Sequence, residues 1–157
     1  MSIIRANACD LPVLVPLFEA YRQFYRREPD PAGAMAFLRQ RLEKEDSVIF
    51  LTLLEDGTAA GFTQLYPLFS SVRMRKLWLL NDLFVDEAYR GRRLSLGLIE
   101  QAKRLAQATG AAGLILETEK GNAIGNQLYP RTGFLRSEQN YYHWDCPTSE
   151  PVTLVEP

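Results

Sequence analysis

The sequence predicts an α+β domain built on a twisted, mostly antiparallel sheet of six to seven strands, flanked by about four helices. Three observations lead there. Apolar residues recur at helical spacing in four separate stretches, and short strand-like runs bounded by turn residues lie between them. Three of those runs follow one another directly at 48–54, 59–66 and 76–85, as a meander would. The chain has 157 residues, 46% of them hydrophobic and 24% charged, which suits one globular domain with a real core.

Each element has its own signal. Ile3-Ile4-Arg5 reads as a short first strand, and Asp10 as the N-cap of a helix over 11–25 with Leu14, Leu17, Phe18 and Tyr21 on one face. Pro29-Asp30-Pro31 turns the chain into a second helix, ending near Lys44, that carries Met35, Leu38 and Leu42. Glu55-Asp56-Gly57 marks the tight turn between the first two strands of the meander. Residues 67–75 read as a loop. A third helix begins near Leu94, presents Leu98, Ala102 and Ala106, and stops at Thr109-Gly110, where glycine suits the position after the last turn. Gly113 to Glu117 is a short apolar strand of central type, and 122–129 a short helix closed by Pro130 and Gly133. Phe134-Leu135 and the run from Tyr141 to Trp144 read as final strands, and 147–157 as a tail of the single domain 1–157.

Composition excludes several classes. A net charge of -1 argues against binding nucleic acid through overall charge. Cys9 and Cys146 form no CxxC pair, and with His143 as the one histidine they give no metal site. His143, among aromatic residues on an expected strand, reads as a core or interface side chain. No apolar run approaches a membrane span, and the N-terminal residues lack a signal-peptide core, so the expectation is a cytoplasmic protein without a membrane partner.

The most informative stretch joins the third long strand to the third helix. Asp82-Leu83-Phe84-Val85 leads through 86–89 into Arg90-Gly91-Arg92-Arg93, then Leu94 and Ser95 open the helix. A helix N-terminus offers unpaired amides and the positive end of a dipole, and here three guanidinium groups are added. That chemistry suits a phosphate. Alone, the arginines would read as a solvated basic patch; between a strand and a helix they read as an anion cradle.

With the later run Asn122-x-x-Gly125-x-x-Leu128-Tyr129-x-x-x-Gly133-Phe134, the element order resembles the GNAT superfamily of acetyl-CoA-dependent N-acetyltransferases over about residues 3–145. The resemblance implies a sheet splayed in its middle and a pyrophosphate turn of the pattern Arg/Gln-x-x-Gly-x-Gly/Ala. The matching run starts at Arg90, and Arg93 and Ser95 stand at positions where the family has glycines. It further implies acetyl-CoA as donor, with coenzyme A as product, and a primary amine of a small molecule or protein as acceptor. The main chain of Leu83, Phe84 and Val85 would hold the pantetheine arm. Arg90 to Ser95 would bind the pyrophosphate, and Asn122, helped by Asn126, would contact the arm or order the turn before the fourth helix. Tyr129 matches the tyrosine that protonates the departing thiolate. Asp82 and Glu117 are the candidate bases, Asp82 foremost, with Glu117, Tyr25, Tyr66 and Trp78 as candidate acceptor contacts. Homodimerisation follows from the resemblance alone. A rival reading, motivated by Arg93 and Ser95, is a module of the same fold that binds acyl-CoA without turnover.

Overall fold

A five-stranded sheet, four strands antiparallel and the last pair parallel, positions everything else among the described residues. The computed structural model describes residues 1–146, so the expected tail lies outside the described residues. The order is β1 (Ser2–Arg5), α1 (Leu11–Phe24), α2 (Pro31–Glu43), β2 (Val48–Leu53), β3 (Ala59–Ser70), β4 (Arg75–Val85), α3 (Leu94–Ala108), β5 (Leu114–Ile115) and α4 (Ala123–Arg131). The strands are hydrogen-bonded in sequence order, β1 through β4 antiparallel and β4–β5 parallel. Among the described residues no helix is long and apolar enough to cross a membrane.

The sheet is covered on both faces. Leu14, Phe18, Leu38 and Phe62 build one core beneath α1 and α2. Leu65, Trp78, Leu80, Ile99 and Ala102 build the other beneath α3. Strand alternation alone would put Leu80 and Phe84 on the same face, since they are four residues apart. Phe84 nevertheless joins the first core and Leu80 the second. The cause is a bulge: Gln64 pairs with Asp82 but Leu65 pairs with Leu80, which leaves Asn81 as an extra residue in β4.

Several sequence expectations are corrected. Among the described residues five strands form rather than six to seven: neither Phe134-Leu135 nor the Tyr141–Trp144 run is in a ladder. Strands need partners, and Leu135, Tyr141, Tyr142 and Trp144 are instead exposed, as is His143. The expected loop at 67–75 shrinks because β3 and β4 continue pairing to Ser70 and Arg75. Pro67 is tolerated inside β3 because β2 ends its pairing at Leu65, so no donor is needed on that edge. Asp10 does not cap α1 with its side chain. Its carboxylate accepts from the Asn7 amide at 2.8 Å, closing a capping box around the short turn of residues 8–10.

Candidate active site

The site grows from what β4 does after its bulge. β4 is paired to β3 at ten positions, but to β5 only at Trp78 and Leu79. Beyond Leu79 the two strands diverge and a cleft opens between them. The Trp78 amide donates to the Gly113 carbonyl and the Lys76 carbonyl accepts from Ala112, so these residues face β5. The bulge reverses the phase. The Asp86 amide donates to Ala60, and the pairing register puts Asp82 and Phe84 toward β3 as well. Leu83 and Val85 therefore turn their main-chain groups to the open side. An extended amide-bearing ligand can pair there as an added strand would.

The turn after β4 is shaped for an anion. Asp86 caps a short helical turn over 87–89, its carboxylate accepting from the Ala88 amide at 2.9 Å. Gly91 follows at φ 78°, and Arg93 at φ 61° and ψ 21°. Both are left-handed, the conformation for which glycine has no steric penalty and an arginine loses about 1–2 kcal/mol. Alternation of this kind turns successive amides inward as a concave nest, and the first turn of α3 adds amides without intrahelical acceptors. Arg90 is held by three contacts: its Nε donates to the Val85 carbonyl at 3.1 Å, it pairs with Glu87 at 3.0 Å, and it lies over the rings of Phe24 and Phe84. Arg93, Leu94 and Ser95 border the cleft with Arg90 and Gly91. Arg92 does not; its guanidinium packs 5.4 Å from the centre of the Tyr89 ring.

The opposite wall is held by caps rather than by a ladder. Asn122 caps α4, its Oδ1 accepting from the Gly125 amide at 3.0 Å while its Nδ2 donates to Thr118 at 3.0 Å. A Cβ at residue 125 would stand 2.7 Å from Asn122 Nδ2, so glycine is needed for the side chain to fold back. Asn126 is outside the cleft; its Nδ2 reaches the Glu119 and Asn122 carbonyls at 2.9 Å and 2.8 Å and fixes the loop before α4. Tyr129 comes off the last turn of α4 into the cleft, its ring edge-on to Phe134 at 5.8 Å. Burial pushes its phenol up, with Tyr25 adding to the effect, so the group stays protonated at neutral pH.

The floor comes from α1. Tyr21, Phe24 and Tyr25 reach under β4, with Tyr21 edge-on to Phe84 at 5.9 Å and to Tyr25 at 5.1 Å. Asp82 lies behind Tyr21 and is 5% exposed. Burial pushes its carboxyl up, against the opposing pull of hydrogen bonds from Tyr21 and Asn81. Asn81 Nδ2 donates to Asp82 Oδ1 at 3.0 Å. The Tyr21 phenol is raised far above its ordinary range by burial first and the Asp82 charge second. The whole cleft has a cavity volume of about 310 Å³.

Most of the sequence-selected residues therefore converge. Leu83, Phe84, Val85, Arg90, Gly91, Arg93, Leu94, Ser95, Asn122, Tyr129, Tyr25 and Glu117 all border one cleft. Two acceptor candidates do not. Trp78 is 5% exposed beneath α3, with its indole N–H donating to Thr109 at 2.9 Å. Tyr66 is half-buried on the α2 side near Arg41 and Asp46, its phenol pushed up to about 12, chiefly by burial. Period-2 alternation cannot say which face of a strand meets a cleft. Sequence pattern does not single out Tyr21 or Asn81 as site residues. Tyr21 sits at core spacing on α1, and nothing local marks Asn81 as a bulge until the register of β3 is known.

The comparisons agree with this geometry. The family model described as "Acetyltransferase (GNAT) family" matches residues 14–134. The chain is 42% identical over 144 residues to an uncharacterized N-acetyltransferase, YhfO, of Bacillus subtilis (strain 168), covering 92% of this chain and 95% of that one. It is 35% identical over 117 residues to a probable acetyltransferase of Haemophilus influenzae, covering 74% and 80%. A crystal structure of a probable acetyltransferase superposes with a TM-score of 0.86 at 35% identity, covering 96% of this chain and 100% of the other. The family match covers most of the chain and the relatives align along most of their own length, so the chain belongs to the GNAT family of N-acetyltransferases.

Proposed function

We propose that the protein moves an acetyl group from acetyl-CoA to a primary amine of a small molecule or a protein. The observation that carries this reading is the unpaired edge of β4 running directly into the left-handed Gly91–Arg93 turn at the N-terminus of α3. The residues fit coenzyme A in kind: a polyamide arm matches the open main chain of Leu83 and Val85, and a pyrophosphate matches the amides and arginines of the turn. When bound, acetyl-CoA supplies an activated thioester. An open-edge amide of β4 would polarise the thioester carbonyl, the amides and arginines of the turn would hold the phosphates, and Asn122 would keep the opposite wall in place. Tyr129 holds a proton for the departing sulfur, and its raised phenol suits a donor rather than a base. Asp82 holds negative charge behind the acceptor, and Tyr25 and Glu117 border the space an amine enters.

A binding module without turnover was the rival. Arg93 bears on it, because its backbone takes the conformation a glycine would take, so the turn keeps its shape despite the substitution. That favours the enzyme. The reading extends to a single domain over 1–157 acting in the cytoplasm, without nucleic acid or membrane, with a homodimer as the assembly the family resemblance offers. Thiol release from acetyl-CoA across a panel of amines, with thermal shift by coenzyme A, tests it. Stabilisation with turnover on some amine is expected. Stabilisation with no turnover on any amine leaves the binding module, and no shift at millimolar coenzyme A ends both readings.

A further inference from the structure

Asp82 is a buried acid behind the cleft wall and does not border the cleft; Tyr21 does. The carboxylate is enclosed by its own β-bulge, with Asn81 Nδ2 on Oδ1 at 3.0 Å and its main-chain carbonyl pinned by the Thr63 hydroxyl at 2.8 Å. The Tyr21 hydroxyl neighbours the Asp82 carboxylate, each group acting on the other, and Tyr21 is the one of the two that lines the cleft. Its ring cannot swing away, being edge-on to Phe62 at 5.6 Å, to Phe84 at 5.9 Å and to Tyr25 at 5.1 Å. A phenol that gives its proton to a carboxylate keeps its Oη lone pairs for a second donor, and the Tyr21 side chain borders the cleft from which such a donor comes.

We propose that Tyr21 is the group that takes the acceptor's proton, handing its own phenolic proton to Asp82, which acts behind it as a positioning residue. The proposal rests on the acetyl-transfer reading above. The steps balance. An ammonium N–H proton passes to Tyr21 Oη as the Tyr21 O–H proton passes to an Asp82 Oδ, which leaves a neutral amine and a neutral carboxylic acid. The amine lone pair then forms the N–C bond to the thioester carbon, and the C–S bonding pair leaves with sulfur. Tyr129 protonates that sulfur, and the second N–H proton lost by nitrogen replaces the one Tyr129 gave. Asp82 returns its proton through Tyr21 to solvent. The two transfers at Tyr21 are concerted, because burial and the Asp82 charge both oppose a free phenolate there. Burial of Asp82 works in the same direction by bringing the carboxyl closer to working pH. The groups facing this pair are Tyr25 on α1, Tyr66 on β3 and Tyr129 on α4, all phenols raised by burial and therefore neutral near pH 7.

The test uses the full chain with Tyr21→Phe, Asp82→Asn and the double variant, each checked for folding by thermal melt. Phenylalanine keeps the ring packing and removes only the relay atom. Each single variant is expected to lower kcat about 100-fold at pH 7 with the donor KM within about twofold. The double variant is expected to be no slower than the slower single one, since a relay broken twice is broken once. The rate of Tyr21→Phe then climbs with pH in step with the free-amine fraction. A readout independent of turnover is the Asp82 carboxyl followed by carbon NMR: Tyr21→Phe removes a donor to the carboxylate, so the Asp82 pKa moves further up. Wild-type kcat in Tyr21→Phe, multiplicative losses in the double variant, or an Asp82 titration indifferent to Tyr21 each overturn the relay. A wild-type protein silent on every amine overturns the acetyl-transfer reading and the relay with it, and the Asp82 titration separates that failure from a failure of the pair.

Discussion

β4 and β5 are the two walls of one cleft and are held in place by different means. β4 spans 11 residues and is paired along its length to β3, with Leu80 and Phe84 anchored in opposite cores. β5 has two residues, and the wall beyond it is fixed by the Asn122 cap and the Asn126 contacts to loop carbonyls. A ladder fixes every main-chain group in a row, whereas caps fix one turn. The side that offers its backbone to a ligand therefore stands on the ladder. The side that contributes isolated side chains, Tyr129 and Glu117, stands on caps.

The largest expected effect strikes the foundation of the β4 wall. Leu65 is 0% exposed in the core under β3. Leu65→Ala should lower unfolding free energy by about 2–5 kcal/mol in denaturant titration. Next is deletion of Asn81, which removes the bulge but leaves Asp82 opposite Gln64. β4 should straighten and the cleft narrow, with turnover falling about 100-fold while the far-ultraviolet spectrum stays native. Retained activity would mean that the splay owes nothing to the bulge.

Asp82→Asn comes third. The folded-state pKa of Asp82 is raised, so the native chain binds the proton more tightly than the unfolded one. Stability attributable to this group is therefore full at pH below the unfolded value, and declines as pH rises through the unfolded and then the folded value. Asparagine removes that loss, so the variant should melt higher than wild type at pH 7. The gain should vanish in acid. A variant that melts lower at pH 7 would show that the carboxylate is well solvated after all.

Arg93→Gly is smaller. Relief of the left-handed arginine, offset by the added freedom of glycine in the unfolded chain, leaves about 0.5 kcal/mol of stabilisation. The lost charge should weaken coenzyme A binding by about threefold, at roughly 0.3–1 kcal/mol for one exposed cation near an anion. The smallest effect belongs to β5: Ile115 is 44% exposed. Ile115→Ala should change stability by no more than about 0.5 kcal/mol, as surface substitutions do. A large loss there would make the two walls alike.

Much of this was legible beforehand because it depends on neighbours in sequence. The four helices follow from apolar spacing, and the Gly110 stop shows its left-handed φ of 61°. The Arg90–Ser95 turn follows from a strand, a glycine and a helix start in succession. Residue type alone suggests Trp78 and Tyr66 for an acceptor pocket, and composition alone suggests a strand from Tyr141 to Trp144. A strand requires a second chain segment at hydrogen-bonding distance, and no window of 10 or so residues contains that information.

Element order, the family resemblance and the anion-shaped turn are written in the chain, because capping, periodicity and backbone freedom at Gly91 are local properties. The folded arrangement adds that Asn81 is a bulge, that Leu83 and Val85 turn their main chain to the open side, and that Tyr21 rather than Asp82 borders the cleft. Those depend on the register between β3 and β4 and on where α1 crosses them. Register is a relation between segments far apart in the chain, and a shift of one residue reverses every face beyond it.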